Sequence, residues 1–260
     1  MSEQYKGIPS YYDEIINQLW KTTFYEFKLD ACNNLEPGQI CDCIINYNND
    51  KTYQLDIQNY NKDDEFSSTW CLKPLKTRLP IREQRIQGFD LETNERIIIR
   101  RAKLRFVVLL TKIEDSFLNP NNYKNHNYWL VLPIFSYKKS KHNIDYVIND
   151  QCLNSPFRFY MPPSINLGYR LDKESAARYN LIQSICEYDI HPITSFCQEK
   201  QMQKGIKLSS CALKLVVYHY FKSLHILKEL NYGADPIETE YDLFKDAIAD
   251  LVKKSKEKST

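Results

Sequence analysis

Apolar and polar positions change their period along this chain. Near the start, Tyr12, Ile15, Ile16 and Leu19 recur at helical spacing behind Ser10-Tyr11-Tyr12-Asp13, which resembles a capping box, and predict a short amphipathic helix over about residues 10–22. The turn Glu36-Pro37-Gly38-Gln39 then launches Ile40-Cys41-Asp42-Cys43-Ile44-Ile45 as a first strand. Arg96 to Thr111 is β-rich, and its continuous apolar run Arg105-Phe106-Val107-Val108-Leu109-Leu110-Thr111 predicts a strand buried on both faces. Tyr128 to Ser136 is another such strand, in which Pro133 points to an edge, a bulge or a strand end. Short strands are also predicted at Asp145 to Ile148 and at Tyr179 to Ile185.

After about residue 200 the period becomes 3.6. Leu213, Val216, Val217, Tyr220, Leu224 and Leu227 mark one helix, Gly233 stops it, and Asp235-Pro236 opens a second that carries Tyr241, Phe244, Ile248 and Leu251. The Lys-rich end from Lys253 to Thr260 is expected to fray. Many short strands followed by a helical pair predict an α+β protein with a small barrel in the middle. The corresponding division is an N-terminal helical extension over residues 1–34, a barrel domain over 35–200 with an insertion at about 50–95, and a C-terminal helical extension over 201–260.

Composition narrows the chemistry. With 43% hydrophobic residues in 260, the chain can bury a core without covalent staples. Its 19 Tyr and 12 Phe against 6 Gly favour strands and packed helices, and neither G-x-G-x-x-G nor G-x-x-x-x-G-K-[ST] occurs, which removes the main support for dinucleotide enzymes and P-loop NTPases. Met1 to Lys6 lacks the apolar stretch of a signal peptide, and eighteen apolar residues never run together, so a cytoplasmic protein that does not span a membrane is expected. The eight scattered cysteines fit free thiols, and without a C-x-x-C pair no metal and no other cofactor is expected.

The net charge is only +2, but it is unevenly placed. From Lys73 to Arg105 ten basic residues face four acidic ones, whereas Asp50 to Glu65 is acidic and Asn-rich and reads as a solvated loop or hairpin. Arg100, Arg101 and Lys103 lie in the basic stretch, and Lys138, Lys139 and Lys141 follow the strand that ends at Ser136. Both groups suit a phosphate backbone, although a lysine run is also what any solvated loop carries. His142 and His191 are the candidate acid–base groups because imidazole titrates near neutrality. Tyr137, Tyr146, Phe157, Phe159 and Tyr160 could stack on unpaired bases or simply fill a sheet face.

Between Leu35 and Pro192 the order of elements resembles the MazF/PemK family of toxin-antitoxin ribonucleases, which have a CcdB/MazF-type SH3-like barrel. Glu36-Pro37-Gly38-Gln39-Ile40 is similar to the opening turn and strand, and Arg105 to Thr111 to a strand that begins with Arg. Trp129-Leu130-Val131-Leu132-Pro133-Ile134-Phe135-Ser136 is similar to a strand ending in a hydroxyl residue, and Glu174 to Ile185 to a late segment. The resemblance implies an SH3-like barrel core, single-stranded RNA as substrate, an antitoxin as protein partner and a homodimer. It also implies Arg105 and Ser136 as the groups around the scissile phosphate. RNA carries its own nucleophile, so a guanidinium to neutralise the phosphorane and a hydroxyl to donate are the groups such a site needs. Phe106 stands where the family has Pro, and the strict register places Phe135 where the hydroxyl belongs, with Ser136 one residue later.

Three function classes follow. The first is a metal-independent endoribonuclease using Arg105 with Ser136 or His142. The second is an inactive barrel that binds nucleic acid or a protein. The third is a structural or regulatory protein that uses its C-terminal helices for self-association or docking.

Overall fold

A computed structural model of the chain describes residues 11–30, 34–46, 53–59, 69–74, 97–100, 102–113, 127–138, 141–164, 171–197, 202–224 and 236–257. The chain divides into two compact units, one made of Met1–Cys43 with Leu104–Thr260 and the other of Ile44–Lys103. Its strands are β1 (Tyr25–Leu29), β2 (Ile40–Asn46), β3 (Tyr53–Asn59), β4 (Thr69–Pro74), β5 (Ile97–Ile99), β6 (Ala102–Ile113), β7 (Tyr128–Ser136), β8 (Arg158–Met161), β9 (Ser175–Arg178), β10 (Gln183–Cys186), β11 (Ile190–Pro192), β12 (Thr194–Cys197) and β13 (Met202–Leu208). The helices are α1 (Tyr12–Trp20), α2 (Ile144–Gln151), α3 (Ser210–Ser223) and α4 (Pro236–Glu257).

The smaller unit holds an antiparallel sheet in which β3 lies between β4 and β5. The acidic, Asn-rich stretch thus contributes one arm of a hairpin, with Gln54 opposite Lys73 and Tyr53 opposite Pro74.

In the larger unit, β7 is the spine of the large sheet. It pairs antiparallel with β6 on one side, and on the other with β10 along its first half (Val131 opposite Gln183) and with β9 along its last residues (Ile134 opposite Ala177). Pro133 falls where β7 exchanges one partner for the other, so its missing N–H breaks neither ladder. Pro133 therefore sits inside a central strand, not at a sheet edge. Beyond β9 lies β8, and beyond β6 lie β2 and then β11.

The mixed α+β class agrees with expectation, but the expected barrel is not closed. Among the described residues the path β11-β2-β6-β7-β9-β8 is open, and β10 joins β11 through one 3-10 turn (Glu187–Asp189) without a ladder between them. A separate sheet, β1-β13-β12, is tied to the Glu36–Gln39 turn, because Leu208 donates its N–H to the Gly38 carbonyl at 2.9 Å. Gly38 in turn donates to the Leu109 carbonyl at 2.7 Å with φ of +86°, a conformation glycine adopts without penalty. Beside this turn, burial alone would raise the Glu36 carboxyl, but Lys207 and Lys28 hold it below its ordinary range.

The helices close the core. Tyr12, Ile15 and Ile16 form the buried face of α1, while Leu19 is exposed. Ser10 lies outside the described residues, and no side chain caps α1. Asp13 instead accepts a hydrogen bond from the Phe24 N–H at 2.7 Å, which fixes the return of the chain into β1. The Tyr12 ring meets Phe159 of β8 at 6.0 Å and Phe244 of α4 at 5.1 Å, so α1 stands between sheet and helix. Ser209 caps α3 by accepting from the Ala212 N–H, and the face buried there is Ala212, Leu215, Val216 and His219. On α4 it is Tyr241, Phe244, Ile248 and Val252. Gly233, Asp235 and Leu227 lie outside the described residues.

Two expected strands read differently in the structure. Asp145 to Ile148 lies within helix α2, whose first turn is closed by Asn143 accepting from the Tyr146 N–H at 2.9 Å. Val147, Asp150 and Gln151 then turn to one side at helical spacing, and four residues are too few for alternation to outweigh a cap. Tyr179 to Ile185 begins as a 3-10 turn (Tyr179–Leu181) and becomes extended only at β10.

Candidate nucleic-acid interface

Directly opposed residues of an antiparallel ladder share a face, and successive residues alternate faces. Val107 opposes Pro133, so continuing that register by two residues sets Arg105 opposite Phe135. Across the other ladder Phe135 opposes Ala176, Ala176 opposes Tyr160, and Arg178 opposes Arg158. Arg105, Phe135, Arg178, Arg158 and Tyr160 therefore share one face. Side-chain contacts agree: the Arg105 and Arg178 guanidinium carbons lie 4.7 Å and 4.6 Å from the centroid of the same Phe135 ring.

The three arginines are not equivalent. Arg158 donates from Nε to the Asp150 carboxylate at 2.8 Å and lies over the Tyr146 ring at 4.2 Å. The same Asp150 oxygen accepts from the Tyr137 hydroxyl at 2.7 Å, and Asp150 is fully buried. Burial alone would lower the Arg158 pKa, but the hydrogen bond and charge of Asp150 outweigh it, so this guanidinium stays charged as half of a structural pair. Arg178 has no ion-pair partner among the described residues, and its buried Nε has no hydrogen-bond partner there. Two guanidiniums brought onto one ring, one of them without a carboxylate among the described residues, form a concentrated positive feature whose natural complement is an oxyanion.

Glu174 stands at the edge of this face. Its carbonyl accepts from the Tyr137 N–H at 3.0 Å, which extends the β7–β9 ladder by one pair and places Glu174 opposite Tyr137. Burial pushes its carboxyl up to about 7, with the neighbouring Tyr160 hydroxyl acting in the opposite direction.

Ser136 takes the other face. It opposes Ser175, their hydroxyl oxygens are 3.3 Å apart, and Ser175 also donates to the Lys173 carbonyl at 2.9 Å. The structure thus does not bring Arg105 and Ser136 onto one face. His142 closes a small turn: its Nδ1 accepts from the Lys138 N–H at 3.0 Å, and its ring packs against Tyr137 and Tyr146. Lys138 and Lys141 in that turn are exposed. Arg100 and Lys103, in the smaller unit, are exposed too, whereas Arg101 and Lys139 lie outside the described residues. His191 is exposed on β11 opposite Asp42.

Among the aromatic candidates, Phe159 and Tyr160 are core residues, Tyr137 is committed to Asp150, and Phe157 is 58% exposed. Sequence reasoning passed over Arg178, Arg158, Asp150 and Glu174. The available signal was the alternation Glu174-Ala176-Arg178, charged at both ends and small between. No described cluster of His, Cys, Asp and Glu has the make-up of a metal site, and no described helix is long and apolar enough to cross a membrane. No protein-family model, no curated protein and no solved structure matches this chain, so the face shared by Arg105, Phe135 and Arg178 is the guide to what it does.

Proposed function

We propose that the chain binds single-stranded RNA through the sheet face of Arg105, Phe135 and Arg178, with the guanidiniums on phosphate oxygens and Lys138 and Lys141 beside the path of the backbone. The observation that carries this reading is the pair of guanidiniums on the Phe135 ring, one of them without a carboxylate partner among the described residues. Phosphate contacts supply most of the affinity of such complexes and make it salt-dependent, by about 0.7 in the log–log slope for each contact to a single strand. The test is fluorescence anisotropy of a labelled single-stranded RNA titrated with wild-type, Arg105→Ala, Arg178→Ala and Lys138→Ala/Lys141→Ala protein over a range of salt. Each arginine variant is expected to weaken binding and flatten the slope by about one contact. Binding that ignores salt, or that survives loss of both arginines, overturns the reading.

A second reading is a metal-independent endoribonuclease of MazF/PemK type, built on an SH3-like barrel and acting as a homodimeric cytoplasmic toxin restrained by an antitoxin. The observation favouring it is the return of the chain from β10 through a single turn to β11, which lies against β2. That connection sets β11 against β2, the first strand of the group, while β10 and β11 share no ladder among the described residues. Expression with and without Arg105→Ala tests it: growth arrest by the wild type alone supports the toxin, and growth unaffected by either counts against it.

A further inference from the structure

We propose that Glu174 is the proton acceptor of an RNA-cleaving centre on this face, taking the proton of a ribose 2′-hydroxyl whose neighbouring phosphate is held by Arg105 and Arg178. The inference rests on the RNA-binding reading above and gives Glu174 a role that neither the sequence motifs nor the arginine pair assigns.

Two acidic side chains serve this region, and their environments separate their roles. Asp150 is fully buried, and one of its oxygens accepts from both Arg158 and Tyr137. It is committed to structure. Glu174 is half-buried and forms no ion pair among the described residues, although three guanidiniums share its face. Its Oε2 is buried and has no hydrogen-bond partner among the described residues. A carboxyl without an ion pair among the described residues and partly shielded from water holds its proton near neutrality, where a general base is most effective.

The position suits the role. Glu174, Ala176 and Arg178 lie on one face of one strand, so the carboxyl and the guanidinium emerge from backbone positions about 13 Å apart at ~3.3 Å per residue. Both side chains are long enough to reach toward a nucleotide set between them, and Phe135 stands on the neighbouring strand opposite Ala176. Ser136 and His142 do not fill this place. Ser136 is turned to the far face with Ser175, and the Nδ1 of His142 is occupied by the Lys138 backbone.

The chemical step balances with water as the only co-reactant. The 2′-hydroxyl gives its proton to the Glu174 carboxylate, the 2′-oxygen forms a bond to phosphorus, and the bond from phosphorus to the 5′-oxygen breaks. The leaving 5′-oxygen takes a proton from water, and Glu174 returns its own to the hydroxide so formed. The products are a 2′,3′-cyclic phosphate and a 5′-hydroxyl. On the face of the carboxyl stand Tyr160, whose hydroxyl opposes the effect of burial, and Arg158 on β8, Tyr137 on β7 with Asp150 of α2 behind it, and Arg178 on β9, while the adjacent Lys173 alternates to the other face.

The test uses the full chain with a long single-stranded RNA in EDTA. Cleavage, the chemistry of the new ends and RNA binding are measured for wild type, Glu174→Gln and Glu174→Asp between pH 5.5 and 8.5, with circular dichroism to check folding. The wild type is expected to leave cyclic phosphate ends at a rate that rises with pH and levels off above about 7. Glu174→Gln is expected to bind RNA and to cut at least about 100-fold more slowly, the effect of losing a general base. Glu174→Asp recovers part of the rate with a shifted pH profile, and it carries the test should the Gln variant not fold. Wild-type rates in Glu174→Gln, or an unshifted profile in Glu174→Asp, overturn the assignment. RNA bound but left intact by the wild type also overturns it while sparing the binding reading; absence of binding by the wild type overturns both.

Discussion

The Arg105 guanidinium lies 4.7 Å from the centroid of the Phe135 ring on the adjacent strand, whereas Ser136, the next residue, turns to the other face and meets Ser175 at 3.3 Å. One step along β7 thus separates an aromatic support for a cation from a hydroxyl pair. Replacing Arg105 by Lys keeps the charge but loses the planar fork that both stacks on the ring and grips phosphate bidentately. The expected outcome is weaker RNA binding with the salt dependence retained, while Arg105→Ala weakens binding further and lowers the salt slope by about one contact. Anisotropy titrations at two or more salt concentrations distinguish the two variants.

Asp150 is the buried anion that fixes the other side of this region. Asp150→Ala leaves the Arg158 guanidinium without its carboxylate and the Tyr137 hydroxyl without its acceptor. Removing one member of a buried pair costs about 3–5 kcal/mol. Urea denaturation followed by tryptophan fluorescence is expected to show a loss of that size, with an unchanged slope if the native fold is kept.

His219 joins three segments: Nε2 is 2.8 Å from the Ser155 carbonyl, and Nδ1 bonds the Tyr241 hydroxyl of α4. Nε2–H therefore donates to the carbonyl and neutral Nδ1 accepts from Tyr241. Burial lowers its pKa below the ordinary value of 6.5, with the nearby Lys245 charge acting in the same direction and the Ser155 and Arg158 backbone opposing. The unfolded chain then takes up the proton at a higher pH than the folded one. The resulting stabilisation is complete above about 6.5 and is lost as pH falls below it toward the folded value. Melting temperatures between pH 7.5 and 5 are expected to fall with acidification, and His219→Gln, less stable throughout, is expected to show a shallower dependence. Equal pH dependence in the two proteins counts against this account.

Gly38 combines a φ of +86° with a tight approach, since an added Cβ would lie 3.3 Å from the Leu208 carbonyl oxygen. Gly38→Ala is expected to cost about 1–2 kcal/mol from the left-handed backbone alone. For a chain near this size that corresponds to a fall in Tm of about 2–4 °C per kcal/mol, measured by thermal melting.

Much of this architecture is local and was legible in the sequence. Tyr241, Phe244 and Ile248 mark the buried face of α4 because a 3.6-residue period persists over several turns, and the apolar runs of β6 and β7 announce buried strands. Helix α2 reads as a strand in the sequence because Tyr146 and Ile148 alternate over so short a stretch, and only the cap that Asn143 provides distinguishes it as a helix. The site was legible in part. Arg105 stood out from its place before an apolar run, but Arg178 meets it only through the β6–β7 and β7–β9 registers, which join positions 73 residues apart. Such a meeting is set by tertiary pairing and leaves no periodic trace along the chain. The asymmetry between Glu174 and Asp150 is likewise a matter of burial and partners.

The exchange of partners at Pro133 makes β7 a fork. Its two branches, β10 along the first half and β9 with β8 along the second, are held by separate ladders, so breathing of one need not loosen the other. Arg178 and Glu174 both travel with the second branch, and Arg105 and Phe135 stay with the trunk. Amide hydrogen exchange is expected to report that independence as residues 158–161 and 175–178 exchanging together and apart from residues 183–186.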